Sequence, residues 1–237
     1  MFNLKARLLN IPFPDTCIVC GDVLDNSSYA CNGCRDKVNY INTAFKCKTC
    51  LGFLHTSKDG ACGTCLIENP HYSRLISCVK YSGEVRERIK AYKFRQRPDY
   101  HVGFSRLACE ILERECIFFD AVVPMPLSKK SLKKRGYNQS ALIAKKIADT
   151  FEVPYYDNVL IKVKETKRQS ELKLSERKKN INGAFTLRRS NLIKGKTVLL
   201  VDDIFTSGCT MREAAKTCSP YPEDIIAFTI ARTQFKY

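Results

Sequence analysis

TVLLVDDIFTSGCT, residues 197 to 210, is the stretch on which the fold turns. Val198 to Val201, preceded by Thr197 and the turn-like Lys194-Gly195-Lys196, make an apolar run long enough for a central parallel strand and too short for a helix. Asp202 and Asp203 follow at the strand's carboxyl end, where open α/β sheets place ligands. Thr206, Ser207, Gly208, Cys209 and Thr210 come next, and MREAAK predicts a helix that starts near 209. Backbone N–H groups at such a helix start, with three hydroxyls and one permissive glycine, make an anion nest. The two carboxylates beside it suit sugar hydroxyls or Mg2+ rather than the phosphate itself. Two acids after an apolar strand are ordinary on their own; the hydroxyl-glycine loop gives them a purpose. Neither a P-loop spacing nor Gly-x-Gly-x-x-Gly occurs in the chain.

With those residues in place, the stretch resembles the phosphoribosyltransferase superfamily, whose fingerprint is an apolar strand, two acids, two variable residues and Thr-Thr/Ser-Gly-x-Thr. The resemblance implies that Asp202 and Asp203 hold the ribose hydroxyls of phosphoribosyl pyrophosphate (PRPP). It implies that Thr206, Ser207, Gly208, Cys209 and Thr210 wrap its 5'-phosphate, with Mg2+ accompanying the ligand. Purine-salvage members commonly carry an acid where this chain has Thr206, so a purine acceptor is not expected.

The 237 residues are 44% hydrophobic and 27% charged, ordinary for a soluble protein, and contain no 18-residue apolar stretch. MFNLKARLLNIPFP is too short and broken in its apolar run for a secretion signal and is expected to be a short docking helix. Eight of the 13 cysteines form four C-x-x-C knuckles: Cys17 and Cys20, Cys31 and Cys34, Cys47 and Cys50, Cys62 and Cys65. Two such turns complete a tetrahedral four-thiolate site, which points to two structural zinc ions in a reducing compartment. Sequential pairing is the simplest, and an interleaved pairing of first with third and second with fourth knuckle stays open. Such sites have no vacant coordination position, so the module is structural or docking rather than catalytic. His55 and His71 are expected on the surface, and Cys78, Cys109, Cys116 and Cys218 as small hydrophobes in or near the core.

Charge divides unevenly. Residues 1 to 70 hold 7 Lys/Arg against 6 Asp/Glu, whereas 71 to 237 hold 33 against 18, so the net +16 belongs almost wholly to the second part. A polyanion or a phosphorylated small molecule is the partner class that this favours. The expected organisation is a zinc-binding module over 1–70, with the short N-terminal helix, and a second domain over 71–237.

Within the second part, a strand-like start at 71 gives way at Ser82-Gly83 to a helix from Glu84. Val85, Ile89, Tyr92 and Phe94 form its apolar stripe. Arg86, Arg88, Lys90, Lys93 and Arg95, interleaved with Tyr92, could line a nucleic-acid groove by cation–phosphate contacts and ring stacking; the plainer alternative is a solvated helix packed through its aromatic side. GFSRLACEILERE (103 to 115) is an amphipathic helix burying Leu107, Ala108 and Ile111, and 116 to 123 a buried strand. The following stretch, with Lys129, Lys130, Lys133, Lys134 and Arg135, is read as a loop forming a second anion site or, more plainly, a solvated surface. Asn138 caps the next helix, which carries Ile143, Ile147 and Phe151 at helical spacing. Strands at 158–163, 197–201 and 224–231, with a basic flap over 164 to 180, complete an α/β fold of the type I phosphoribosyltransferase-like kind: a mostly parallel sheet with flanking helices, preceded by a small zinc-binding module.

The order of knuckle module, YSGEVRERIKAYKFR, VVPMP, RGYNQ and VLLVDDIFTSGCT closely resembles the ComF family of bacterial competence proteins. Spaced Thr166, Gln169, Leu172, Arg177, Asn180 and Phe185 belong to the same pattern, which spans residues 17 to 232. The resemblance implies that Arg135, Gly136, Asn138 and Gln139 lie on the pyrophosphate side of the pocket. It further implies a cytoplasmic factor of natural transformation that handles internalised single-stranded DNA beside a partner helicase, which can hold it at the inner face of the membrane. The other function carried forward is an active phosphoribosyltransferase on an unidentified non-purine acceptor; no catalytic residue is assigned.

Overall fold

The computed structural model describes residues 14–24, 28–42, 44, 46–52, 54, 60–166 and 174–233. The expected docking helix in the first 13 residues, His55, Gln169 and Leu172 lie outside them. Two short helices, α1 (Asn32–Arg35) and α2 (Gly63–Glu68), each follow a knuckle, and then the sheet begins. The order continues β1 (Arg74–Lys80), α3 (Gly83–Phe94), α4 (Tyr100–Arg114), β2 (Ala121–Pro124), α5 (Lys129–Arg135) and α6 (Gln139–Thr150). It ends with β3 (Leu160–Lys162), α7 (Leu174–Ile181), β4 (Phe185–Leu187), β5 (Thr197–Phe205), α8 (Cys209–Cys218) and β6 (Asp224–Arg232).

The main sheet runs β1-β6-β5-β2 with every pair parallel. Parallel strands need both faces covered, and β5 alternates accordingly. Leu199 and Val201 face the core made with α4 and α6 through Leu107, Ile111, Ile143 and Ile147. Val198 and Leu200 face a second layer with Met211, Ala214 and Ala215 of α8. Pairing extends past both sheet edges: Tyr40 bridges Val79 antiparallel and Tyr155 bridges Val122 in parallel.

Several expectations need correction. β5 continues through both acids to Phe205, so Asp202 and Asp203 lie inside its terminal turn of ladder, with Asp202 opposite Thr229. The strand expected from 116 begins only at Ala121, because Cys116 ends the preceding helix in a left-handed turn and is itself exposed. Cys78, Cys109 and Cys218 are buried as expected. β3 is not part of the main sheet; it pairs antiparallel with β4 in a separate two-stranded ribbon. Residues 129–135, read as a loop, are a helix. Ser128 caps its start by accepting from Ser131 N, Gly136 ends it at φ 81°, and Lys133, Lys134 and Arg135 stand in its last turn where the dipole favours cations.

The cysteine-bearing segment is not a separate bead. Cys17, Ile18, Val19, Tyr29 and Ala30 are members of the same buried core as α4, α6 and β1. Gly103 of α4 permits this approach, since a Cβ there would stand 2.7 Å from Thr16 O and 2.8 Å from the Ile18 methyl. Among the described residues, no helix is long and apolar enough to cross a membrane.

Candidate functional site

Asp202 and Asp203 sit at the carboxyl end of β5 in different surroundings. Asp202 Oδ1 accepts from Ser140 Oγ at 3.0 Å and from the Asp203 N–H at 2.8 Å. Burial, then the neighbouring Asp203 charge, push its carboxyl up to about 6 against the pull of Lys93. Asp203 is paired with Lys93 Nζ at 2.7 Å, and both side chains are mostly enclosed. The acid pair is therefore closed on one side by a cation from the basic helix.

The loop after them is built on Gly208, which caps α8 in the left-handed region at φ 78°. A Cβ there would stand 2.6 Å from Phe205 Cζ, so only glycine fits. Ser207 is buried and its Oγ meets Cys209 Sγ at 3.3 Å, while Thr206 and Thr210 are partly open. Helix α8 starts at Cys209 as its sequence predicts.

Arg135 Nη1 donates to Gln139 Oε1 at 2.9 Å, and its guanidinium lies 5.2 Å from the Phe94 ring centroid. Gln139 is buried and its Nε2 has no protein partner among the described residues. Asn138 caps α6 by accepting from Ser140 N and donates to Met125 O at 3.0 Å, which fixes the entry of the chain into the site. Lys162, on β3, went unnoticed in the sequence. Burial lowers its ammonium, Asp202 and Glu165 pull it back up, and Arg135 opposes them, so it stands among the site's charges. Its Nζ donates to Thr166 Oγ1 at 2.8 Å. Glu165 in turn accepts from Ser128 Oγ and the Lys130 N–H, tying this ribbon to the start of α5.

The basic helix α3 divides its cations unequally. Arg88 donates to Val19 O at 2.9 Å and Cys20 O at 2.6 Å, so it clamps the first knuckle. Tyr92 is fully buried and its hydroxyl donates to Gln139 O; its ring is core and cannot stack on a base, contrary to the expectation. Lys93 is held by Asp203 and Lys90 by Glu87. Arg86 and Arg95 are exposed, as are Lys129, Lys130, Lys133 and Lys134 on α5. Phe94, expected in the apolar stripe, is 52% exposed and lies under Arg135, which joins the ends of α3 and α5 into one basic face.

The eight knuckle cysteines gather into two groups, Cys17, Cys20, Cys31 and Cys34, and Cys47, Cys50, Cys62 and Cys65, the sulfurs of each within 4.8 Å of one another. Pairing is sequential. Cys20 and Cys31 sulfurs are 3.9 Å apart and Cys50 and Cys62 sulfurs 3.8 Å, far beyond a disulfide and close to the edge of a tetrahedron with ~2.3 Å zinc–sulfur bonds. Val19, Gly52 and Cys62 direct backbone N–H groups at Cys17, Cys50 and Cys47 sulfurs, which favours thiolates. The donor set fits structural zinc at both centres. His71 is no rival ligand; it is partly exposed in a left-handed turn.

Residues 8–66 match the double zinc ribbon domain and residues 138–231 the phosphoribosyl transferase domain. Competence protein F of Haemophilus influenzae is 27% identical over 76% of this chain and 92% of its own length. The chain carries both domains and is similar to this competence protein. DNA utilization protein YhgH of Escherichia coli is 28% identical over 72% of the chain and 76% of its own length. Competence protein ComFC of Bacillus subtilis is 26% identical over 78% and 76%. The chain thus joins a two-centre zinc ribbon to a parallel phosphoribosyltransferase-like sheet.

Proposed function

We propose that this chain binds a phosphoribosyl ligand of the PRPP type at the end of β5 and uses the adjoining basic face to handle internalised single-stranded DNA in natural transformation. The observation that carries the pocket is the pairing of two adjacent enclosed acids with a loop whose left-handed residue has no room for a Cβ. Asp202 and Asp203 take the ribose hydroxyls, and the N–H groups and hydroxyls from Thr206 to Thr210 take the 5'-phosphate. Arg135, Lys162 and the spare Gln139 amide face the pyrophosphate side, where Mg2+ accompanies the ligand. Names of the relatives, which speak of competence and DNA utilization, support the DNA role. Arg95, Lys133 and Lys134, exposed at the ends of α3 and α5, supply its cations and Phe94 its ring, on the cytoplasmic side and beside a competence helicase.

Transfer onto a non-purine acceptor is the reading that shares this pocket, and no acid stands between Thr206 and Thr210 to serve as its base. The pocket is tested by a crystal structure grown with PRPP and Mg2+. The ribose hydroxyls are expected within hydrogen-bond distance of Asp202 and Asp203, and a ligand seated elsewhere refutes the assignment.

A further inference from the structure

The two cysteine centres are fastened to the rest of the molecule in different ways. The first is gripped by α3 and α4: Arg88 holds the carbonyls of Val19 and Cys20, and Arg106 makes a two-pronged contact with Asp15. The second grips the phosphate loop from both sides. On one side, Arg212 of α8 donates from Nη1 to Ser207 O at 3.0 Å and lies 3.3 Å from Glu68 Oε2, one turn beyond Cys65. The same guanidinium lies within the electrostatic reach of Tyr72 and Cys65, and the Tyr72 hydroxyl donates to Thr49 O inside the knuckle. On the other side, Arg232 Nε donates to Cys50 O at 2.6 Å. Arg232 is the ladder partner of Phe205, the residue whose ring closes against Gly208.

Geometry gives these contacts a consequence. A trans peptide points its C=O and the next N–H in opposite directions. Holding Ser207 C=O toward Arg212 therefore aims the Gly208 N–H away from the cysteine centre. A loop that binds an anion through N–H groups depends on such fixed peptides, because a flipped Ser207 carbonyl would face the anion with its own partial negative charge.

We infer that the second cysteine centre is the brace that sets the phosphate loop, with Arg212 as the positioning residue, so that metal at Cys47, Cys50, Cys62 and Cys65 governs anion binding while metal at the first centre does not. The inference rests on reading residues 206–210 as a phosphate site.

The test compares full-length wild type with Arg212→Met, Cys62→Ser and Cys31→Ser. It measures zinc content, amide hydrogen exchange over residues 204–212, and affinity for inorganic phosphate and ribose 5-phosphate. Arg212→Met is expected to keep both zinc ions and its melting temperature within a few degrees, yet exchange its loop amides about tenfold faster and bind ribose 5-phosphate about tenfold more weakly. Cys62→Ser is expected to lose the second zinc ion and to open and weaken the loop to the same degree, and Cys31→Ser to lose the first zinc ion and leave the loop unchanged. Unaltered loop exchange in Arg212→Met, or equal opening by Cys31→Ser and Cys62→Ser, overturns the inference. Should Cys62→Ser fail to fold, the zinc-loaded Arg212→Met decides. Faster loop exchange in Arg212→Met and Cys62→Ser, with no ribose 5-phosphate binding by wild type, supports the brace and removes the ligand; normal ligand binding by Arg212→Met removes the brace alone.

Discussion

Asp202 is the residue whose environment is most at odds with its charge. Its carboxyl titrates near 6 in the folded chain against 3.8 for an ordinary aspartate. The folded state thus keeps a proton between those pH values that the unfolded chain has released. The stabilising contribution is complete below about pH 4 and is lost as pH rises through 6. Asp202→Asn retains the acceptor for Ser140 and removes the charge, so it is expected to raise stability at pH 7.5 by about 1–2 kcal/mol and by far less at pH 4. Urea unfolding at the two pH values measures it, and equal effects at both would contradict the assignment. Gly208 gives a second prediction: Gly208→Ala meets Phe205 and a left-handed backbone together, and is expected to cost about 1–2 kcal/mol in the same unfolding measurement. An alanine variant as stable as wild type would show that the loop is not held as described.

At the level of elements, α3 illustrates what a sequence does and does not disclose. Its period placed Val85, Ile89 and Tyr92 on one face, and all three are buried. The same period cannot tell which cations find partners on distant segments. Arg88 met carbonyls 68 and 69 residues away, Lys93 met Asp203, and the exposed ring proved to be Phe94 rather than Tyr92. Lys162 escaped notice for the same reason, since only the folding back of β3 as a ribbon brings it to Asp202. Helix α5 was legible in its caps, Ser128 and Gly136, but its run of lysines obscured them. The proposed DNA binding is assigned to the exposed ends of α3 and α5. Phe94→Ala is expected to weaken single-strand binding about tenfold, and Tyr92→Phe to leave it unchanged. Lys133→Glu with Lys134→Glu is expected to lower affinity and flatten its dependence on salt. Fluorescence anisotropy with a labelled oligonucleotide across a salt series reads all three, and a wild-type salt response in the double variant would place the DNA elsewhere.

For the whole molecule, knuckle spacing and the 197–210 fingerprint were readable because each is local: two residues let a turn offer two sulfurs, and a strand-loop-helix carries its own turn chemistry. The way these parts share a core was not, because Gly103 and Arg88 acquire meaning only against the first knuckle. A chain starting at residue 72 loses Cys17, Ile18, Val19, Tyr29 and Ala30 from that core and uncovers α4. It is expected to lack a cooperative thermal transition, whereas a truncated chain melting within a few degrees of the full protein would show that the sheet stands alone. In the proposed function the acid pair and its loop form one ribose-phosphate site. Calorimetric titration of PRPP with Mg2+ into the zinc-loaded protein, and into Asp202→Asn with Asp203→Asn, tests that most directly. Saturable one-to-one binding by wild type, weakened by about two orders of magnitude or more in the double variant, is the predicted result; equal affinity in the two proteins would contradict it.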